Sequence, residues 1–273
     1  MSHEIWTLGL DAGSDTIKLA LAKDGVVSYK GTEAIGTDQV PDVVGRVLAQ
    51  AQAQMSISVK DIALAGIMGR SADFIGDHFK DIQTASYRFA AANAKGVYTI
   101  RPDVRSIVDA GADSYTILKC KDGIVLKSGR NDMCASGAGG YLKKAAKMMR
   151  LDPEQFGEVV DQYYEDALTI GSVCAVFAET EIISMVHKKY APESILAGVY
   201  KGVATRIEQL AYKIGELEDT IAFTGGVALN KGMVKTLQRV LDRQLFIPES
   251  PQTVGACGAA VLAYEAWRGS ERS

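Results

Sequence analysis

The chain has 273 residues, of which 47% are hydrophobic and 23% charged; this composition is typical of a folded globular protein and excludes a disordered one. Its formal net charge of -3 gives no basis for holding a polyphosphate backbone, so we expect no nucleic-acid partner. The sequence contains no apolar run of roughly twenty residues and no signal-peptide pattern before the first motif, so we expect a cytoplasmic protein without a membrane partner.

The first predicted elements form a hairpin that the chain later repeats. Residues 11–27 read DAGSDTIKLALAKDGVV and residues 109–125 read DAGADSYTILKCKDGIV, with identity at eight of seventeen positions and no gap. Each copy follows an apolar run and ends in Lys-Asp-Gly, a pattern that predicts strand, glycine turn, strand, Asp-Gly turn and strand. The repeat therefore predicts two matching lobes, which we place at residues 1–102 and 103–273.

The start of each hairpin carries the chemistry of a phosphate site. An Asp followed two residues later by Gly presents a carboxylate together with exposed backbone N–H groups, which suits a phosphate chain and its Mg²⁺ ion. Two such hairpins facing one another would hold a nucleotide between the lobes. The alternative is an ordinary duplicated hairpin that binds no ligand.

Between the two copies the sequence alternates helical and strand patterns. Apolar spacing predicts a helix over 40–55, and a buried strand follows at 61–67. Ser71 is predicted to cap a helix, and the alanine-rich stretch 86–98 favours another helix. This alternation indicates an α/β protein.

A third glycine motif lies after a predicted strand at 221–223. The strand runs into Thr224, Gly225 and Gly226, and a helix is predicted to begin near Asn230. Paired glycines allow a flat adenosine to approach the backbone, although Gly-Gly is also common in plain strand-to-helix turns. The order of two phosphate hairpins and one adenosine loop resembles the actin, hexokinase and Hsp70 ATPase superfamily. That resemblance implies a duplicated, two-lobed actin-like fold with a nucleotide cleft between its lobes.

The four cysteines have no CxxC spacing, so neither a zinc ribbon nor a thioredoxin-type site is predicted. Cys120 and Cys257 lie in segments of small and apolar residues and are predicted to fill the core. Cys134 and Cys174 each precede a predicted helix, where unsatisfied N–H groups and the helix dipole favour a thiolate ligand. A 4Fe–4S cluster normally takes four thiolates, and a twofold dimer would supply two from each subunit. The alternative is that both are buried structural thiols.

Four segments carry a resemblance to one family. NDMCASGAGGYL, SVCAVFAETEIISMV, AFTGGVALNKGMVKTL and IPESPQTVGACGAAVLA resemble the BadF/BadG/BcrA/BcrD ATPases, over about residues 8 to 263. This resemblance implies a dimeric, ATP-hydrolysing electron donor with one 4Fe–4S cluster per dimer, a reductive activase or an ATPase subunit of an acyl-CoA reductase system. The implied partners are a 2-hydroxyacyl-CoA dehydratase or a benzoyl-CoA reductase-type iron–sulfur enzyme, with ferredoxin or flavodoxin as reductant.

The resemblance also assigns roles to individual positions. Cys134 and Cys174 become the cluster ligands, and Asp11 and Asp109 become catalytic carboxylates that hold Mg²⁺ or the attacking water. The residues assigned to ATP or ADP form three loops: Gly13, Ser14, Asp15 and Thr16; Gly111 and Ala112; and Thr224, Gly225 and Gly226.

The second phosphate loop departs from the family pattern. Where activators usually carry DIGGQD, residues 109–114 read DAGADS. We expect the Cβ of Ala112 to restrict a positive φ and to narrow the approach to phosphate, and so to alter the rate of hydrolysis. The change leaves open a heterodimer with a related ATPase subunit, as in benzoyl-CoA reductases. A small-molecule kinase and a non-catalytic partner subunit also stay open as functions, and the sequence names neither the CoA ester nor the acceptor enzyme.

Overall fold

The computed structural model of the protein describes residues 4–131, 139–151, 160–171, 175–218 and 220–271. Within these residues ten strands and seven α-helices have both ends described. The strands are β1 Trp6–Ala12, β2 Thr16–Lys23, β3 Val26–Ala34, β4 Ile62–Met68, β5 Thr84–Ser86, β6 Ser106–Ala110, β7 Tyr115–Lys121, β8 Ile124–Arg130, β9 Ile221–Thr224 and β10 Leu245–Phe246. The helices are α1 Val40–Met55, α2 Phe89–Ile100, α3 Gly139–Met148, α4 Ala175–His187, α5 Pro192–Ile214, α6 Lys231–Leu241 and α7 Val254–Ser270.

The strands form two five-stranded sheets that share one topology. The first sheet has the order β3-β2-β1-β4-β5, and the second, read in the same sense, has the order β8-β7-β6-β9-β10. In each sheet the first hairpin is antiparallel, the next strand pairs in parallel with the first strand of that hairpin, and the last strand pairs in parallel with the one before it. The duplication inferred from the repeated sequence is therefore confirmed in the fold, which is of the α/β class.

Both Asp-Gly turns have the predicted geometry. Asp24 and Gly25 have φ values of 52° and 82°, and Asp122 and Gly123 have values of 52° and 76°. Two consecutive residues with positive φ define the type I′ turn, whose twist matches that of the strands it connects. The Asp-Gly pair thus fixes the register of both hairpins.

The contacts divide the chain into two compact units, each with its own core. Unit 1 comprises Met1–Asp103, Lys121–Val125 and Thr253–Ser273, and unit 2 comprises Val104–Cys120 and Leu126–Gln252. In unit 1 the buried face of α1 packs with the apolar side chains of the first sheet. In unit 2 the core joins the second sheet to α3, α5 and α6.

The C-terminal helix packs in unit 1, whereas the predicted division at 102/103 assigned it to the second lobe. α7 packs against α2, β1, β2 and β4 of unit 1. Glycines in both helices make this possible: a Cβ on Gly258 of α7 would overlap the Ala92 carbonyl oxygen, and a Cβ on Gly96 of α2 would overlap the Val254 carbonyl oxygen. Backbone contact of this kind needs residues without bulky side chains. Among the described residues, no helix has the length and apolar character needed to cross a membrane.

Candidate nucleotide site and cysteine segments

The first phosphate loop follows a buried carboxylate at the end of β1. Asp11 is 8% exposed, and its Oδ2 lies 3.2 Å from the Nζ of Lys18, its partner across the β1–β2 register. Burial raises the pKa of Asp11, and the charge and hydrogen bond of Lys18 act in the opposite direction. Lys18 was not among the predicted site residues. Its position opposite Asp11 in the predicted hairpin was the signal that could have identified it.

The loop itself is a tight turn with an accessible backbone. The Gly13 N–H donates to the Thr16 carbonyl at 3.1 Å. A Cβ on Gly13 would lie 2.7 Å from Lys18 Nζ, so a larger residue would displace the lysine. Ser14 and Asp15 are exposed and Thr16 is half-buried. The predicted loop residues are thus brought together beside Asp11.

Ser71 lies at the predicted helix start, but its side chain contacts the first phosphate loop instead of capping the helix. It precedes only a short 3-10 helix, Ala72–Phe74, and makes no side-chain capping bond. Instead its Oγ donates to the Gly13 carbonyl at 3.0 Å, and its N–H donates to the Ala12 carbonyl at 2.8 Å. No pattern in the sequence signals this contact, because it joins two loops that only the sheet brings together.

The second phosphate loop repeats the first turn but surrounds its carboxylate differently. Asp109 is 8% exposed, and Gly111 N–H donates to the Ser114 carbonyl at 2.9 Å. The residue opposite Asp109 is Thr116 rather than a lysine. A buried hydroxyl takes the lysine's place, because Thr224 Oγ1 donates to Asp109 Oδ2 at 2.8 Å. Thr224, predicted for the adenosine loop, therefore uses its hydroxyl on the second carboxylate.

Ala112 fits this loop without backbone strain. Neither Ala112 nor Gly111 has a positive φ. The expected restriction by the Ala112 Cβ was therefore wrong, because this turn does not use the left-handed region where a Cβ is costly.

The second loop is also joined to the start of α3. The Gly139 N–H donates to the Gly111 carbonyl at 2.9 Å, and the Gly140 N–H donates to the Ala112 carbonyl at 2.8 Å. A helix leaves its first N–H groups without intrahelical partners, and here the loop carbonyls satisfy two of them. Any displacement of the second loop must therefore act on the first turn of α3.

The third glycine loop places Gly225 and Gly226 in different environments. Gly225 has a φ of 85°, and a Cβ there would overlap the Ala110 carbonyl oxygen. A Cβ on Gly226 would have no heavy atom within 4 Å. The predicted helix start is confirmed: Asn230 accepts from Met233 N–H at 2.9 Å and caps α6. Asn230 also donates to the Tyr200 hydroxyl at 2.7 Å, which fixes this cap to α5.

The cysteines divide as the sequence indicated, as far as the structure describes them. Cys120 and Cys257 are 3% and 4% exposed, and burial raises the pKa of each thiol to about 11. Both are therefore core residues. Cys134 and Cys174 lie outside the described residues. In the described part of the chain, no group of three or more His, Cys, Asp or Glu side chains could hold a metal ion.

The helices that follow Cys134 and Cys174 are linked to each other. α3 begins at Gly139 and α4 at Ala175. Lys144 Nζ of α3 lies 2.6 Å from Glu179 Oε1 of α4. Together with the loop contacts of Gly139, this ion pair places α4 in the same chain of contacts as the second phosphate loop.

Comparison with known proteins decides the family. The sequence model of the BadF/BadG/BcrA/BcrD ATPase family matches residues 8–263. The chain belongs to this family. This BadF/BadG/BcrA/BcrD ATPase is 33% identical over 263 residues to the activator of lactoyl-CoA dehydratase of Anaerotignum propionicum, covering 96% of this chain and 98% of that protein. It is 30% identical over 200 residues to a subunit of the benzoyl-CoA reductase of Thauera aromatica, covering 71% of this chain and 67% of that one.

Solved structures confirm the actin-like fold of this BadF/BadG/BcrA/BcrD ATPase. The activator of the 2-hydroxyisocaproyl-CoA dehydratase from Clostridium difficile, solved with bound ADPNP, superposes with a TM-score of 0.85 at 30% identity, covering 98% of this chain and 97% of that chain. A ROK family glucokinase from Streptomyces griseus superposes with a TM-score of 0.57 at 14% identity, covering 95% and 99%, a likeness of fold alone.

Proposed function

We propose that this ATPase is a cytoplasmic electron donor that couples ATP hydrolysis to low-potential electron transfer into a partner enzyme acting on a CoA ester. The observation that carries the proposal is the pair of hydrogen bonds from Gly139 and Gly140 to the second phosphate loop. They join a nucleotide-type loop to the helix that follows Cys134. Family membership and the named functions of the relatives support the same assignment.

The two carboxylates are proposed to act on the phosphate chain and its Mg²⁺. Carboxylate oxygens are preferred ligands of Mg²⁺, which usually also keeps several waters. We assign Asp11 and Asp109 to the ion or to the attacking water, and Lys18 to the negative charge beside Asp11. The accessible backbone of Gly13 to Thr16 and of Gly111 and Ala112 would contact phosphate oxygens, and that of Gly225 and Gly226 the adenosine.

Cys134 and Cys174 are proposed to hold a 4Fe–4S cluster shared by two subunits. These two thiols suit the cluster, because the other two cysteines cannot compete for iron as thiolates. Cys120 and Cys257 are buried, with pKa values of about 11. Two thiolates from each of two subunits would complete the usual four. When bound, such a cluster supplies one-electron transfer at low potential.

We propose that ATP hydrolysis is coupled to the cysteine segments through backbone contacts of the second phosphate loop. Loss of the γ-phosphate removes a charge that holds a phosphate loop in place, and loops of this kind change setting on hydrolysis. Because Gly111 and Ala112 accept from Gly139 and Gly140, a change in the second loop alters the direction of α3. The Lys144–Glu179 pair would carry the change to α4.

The test is anaerobic purification followed by iron and sulfide analysis, EPR after reduction and molar mass determination. We expect four irons per two chains, lost in Cys134→Ala and Cys174→Ala while ATP binding persists. Asp11→Asn should cut ATP turnover and leave the iron content unchanged. An iron-free protein after anaerobic reconstitution would overturn the proposal, as would full electron transfer in Asp11→Asn.

A heterodimer with a related ATPase subunit is the second arrangement to test, because the chain also matches a benzoyl-CoA reductase subunit. The backbone of Ala112 is not strained, so backbone strain does not argue against hydrolysis at the second loop. We therefore expect ATP hydrolysis by the chain alone. A molar mass of two identical chains with one cluster would exclude the heterodimer, whereas cluster formation only with a second gene product would require it.

A further inference from the structure

α3 and the turn after it carry a concentration of positive charge. Residues 139–151 contain four basic residues and no acidic one, whereas the whole chain has a net charge of -3. All four of these basic residues are exposed: Lys143, Lys144, Lys147 and Arg150. Glu179 of α4 offsets one of these four charges through its ion pair with Lys144, and the remaining local positive charge, opposite in sign to that of the whole chain, favours an acidic partner.

An exposed apolar stripe on α4 borders this basic helix. Ile183 and Val186 follow Glu179 by four and seven residues, so they share its helical face. Glu179 is the residue that pairs with Lys144 of α3, which places this face of α4 beside α3. Ile183 is 49% exposed and Val186 39% exposed.

The turn after α4 extends the same combination of charge and apolar surface. Tyr190 is 49% exposed, and its N–H donates to the Met185 carbonyl at 3.2 Å. Lys188 and Lys189 precede it and are exposed. Lys189 has a φ of 61° at a position where helices usually end in glycine. Lys189 adopts this conformation without the freedom of glycine, and the dipole at this helix end favours its positive charge.

We propose that these residues form a docking surface for an acidic electron-carrier protein that reduces this ATPase, a proposal that rests on the function proposed above. We call it the α3–α4 surface; it consists of Lys143, Lys144, Lys147, Arg150, Ile183, Val186, Lys188, Lys189 and Tyr190. An apolar centre with a charged rim is typical of protein interfaces, and charge complementarity speeds encounter.

Charge and position decide which partner the surface fits. In a twofold contact between two copies the same patch faces itself, so lysine would lie opposite lysine; a second copy is therefore disfavoured.

α4 begins directly after Cys174, and Val186 lies eleven residues beyond Ala175, about 16 Å along the helix. One electron would pass from the reduced carrier to the ATPase and leave the carrier oxidised.

The test uses a bacterial ferredoxin with two 4Fe–4S clusters as the carrier and the double variant Lys147→Glu/Arg150→Glu. The matched control, Lys60→Glu/Lys80→Glu, makes the same change in net charge at exposed positions of unit 1. We expect the variant to bind oxidised ferredoxin at least tenfold more weakly, with a smaller dependence on salt, and the control to bind like wild type. Ferredoxin-driven reduction should slow in the variant, whereas reduction by dithionite should not.

The outcomes separate this proposal from the proposed function. Ferredoxin binding is measured with the oxidised carrier and does not require iron in the ATPase, so an iron-free protein that binds ferredoxin through this surface overturns only the function. Unchanged ferredoxin binding in the double variant would overturn the docking surface. A molar mass of the variant that differs from wild type would also overturn it, because the surface would then join two copies of the ATPase. So would a variant that ferredoxin reduces normally but that passes electrons to the acceptor enzyme more slowly. Ile183→Ser should weaken ferredoxin binding without changing its salt dependence, which checks the apolar stripe independently.

Discussion

Replacing Lys18 by methionine removes the ion pair of the most deeply buried carboxylate in the first hairpin. The side chains of Lys18 and Asp11 are 14% and 11% exposed, so the variant leaves an anion with little solvent. Removing one partner of a buried pair costs about 3–5 kcal/mol, and the residual exposure of this pair favours the lower value. With an m-value of about 2 kcal/mol per molar urea, a loss of about 3 kcal/mol moves the unfolding midpoint of unit 1 by roughly 1.5 M.

The pH dependence of the stability lost in Lys18→Met shows whether the Asp11 carboxylate causes that loss. Burial raises the pKa of Asp11, so between the unfolded pKa, about 3.9, and the raised folded value, the folded protein binds more protons and its stability falls as pH rises. Lys18 is the group that opposes this rise, so Lys18→Met extends the fall to higher pH. The stability difference between wild type and variant should be smallest at acidic pH, below the folded pKa of Asp11, and should grow as pH rises and the Asp11 carboxylate ionises.

Tryptophan fluorescence can report this change for unit 1 alone. The chain has two tryptophans, Trp6 in β1 and Trp267 in α7, and both belong to unit 1. Urea titrations at several pH values, followed by this signal, measure the free energy of unfolding of the unit that contains the Asp11–Lys18 pair. The double variant Asp11→Asn/Lys18→Met should recover most of the stability and lose the pH dependence. A loss of stability equal at all pH values, or no recovery in the double variant, would refute the buried-charge explanation.

Three further predictions concern the second unit and the buried thiols. Gly225→Ala should destabilise unit 2, because its Cβ overlaps a carbonyl oxygen at a positive φ, whereas Gly226→Ala should fold normally and raise the KM for ATP only. Thr224→Val removes the hydroxyl that binds the second carboxylate and should cost about 1–3 kcal/mol, measured by circular dichroism, while Thr224→Ser keeps the bond. Cys120 and Cys257 should resist iodoacetamide at about pH 8 in the folded protein and react in urea, as peptide mapping by mass spectrometry can show.

Each of these expectations has a result that contradicts it. Equal stability of the two alanine variants would mean that Gly225 does not need its conformation. A Thr224→Ser protein as unstable as Thr224→Val would assign the loss to packing rather than to the hydrogen bond. Alkylation of Cys257 in the native state would show that the α7 interface opens under native conditions.

Local sequence signals predicted the hairpins and helices well. The repeated Lys-Asp-Gly fixed both type I′ turns, and apolar spacing placed α1 at the residues observed. These features depend on neighbouring residues, whose preferences a single sequence displays. The strand predicted at 61–67 is β4, Ile62–Met68, for the same reason.

The parts that the sequence did not predict depend on distant contacts. Ser71 binds Gly13, and Thr224 binds Asp109 across the β6–β9 pairing. α7 packs in unit 1 because its small residues match those of α2, a complementarity that periodicity does not display. The roles of Cys134 and Cys174 stay predictions, since both residues lie outside the described part of the chain.

The placement of α7 has a consequence for biosynthesis. The first sheet is translated early, yet the helix that covers β1, β2 and β4 comes after all of unit 2. At about 5–20 residues per second, a ribosome needs on the order of 10 s to pass from the end of α2 to α7. During that interval the first sheet lacks the helix that covers β1, β2 and β4, so the second unit has time to complete its core before the first.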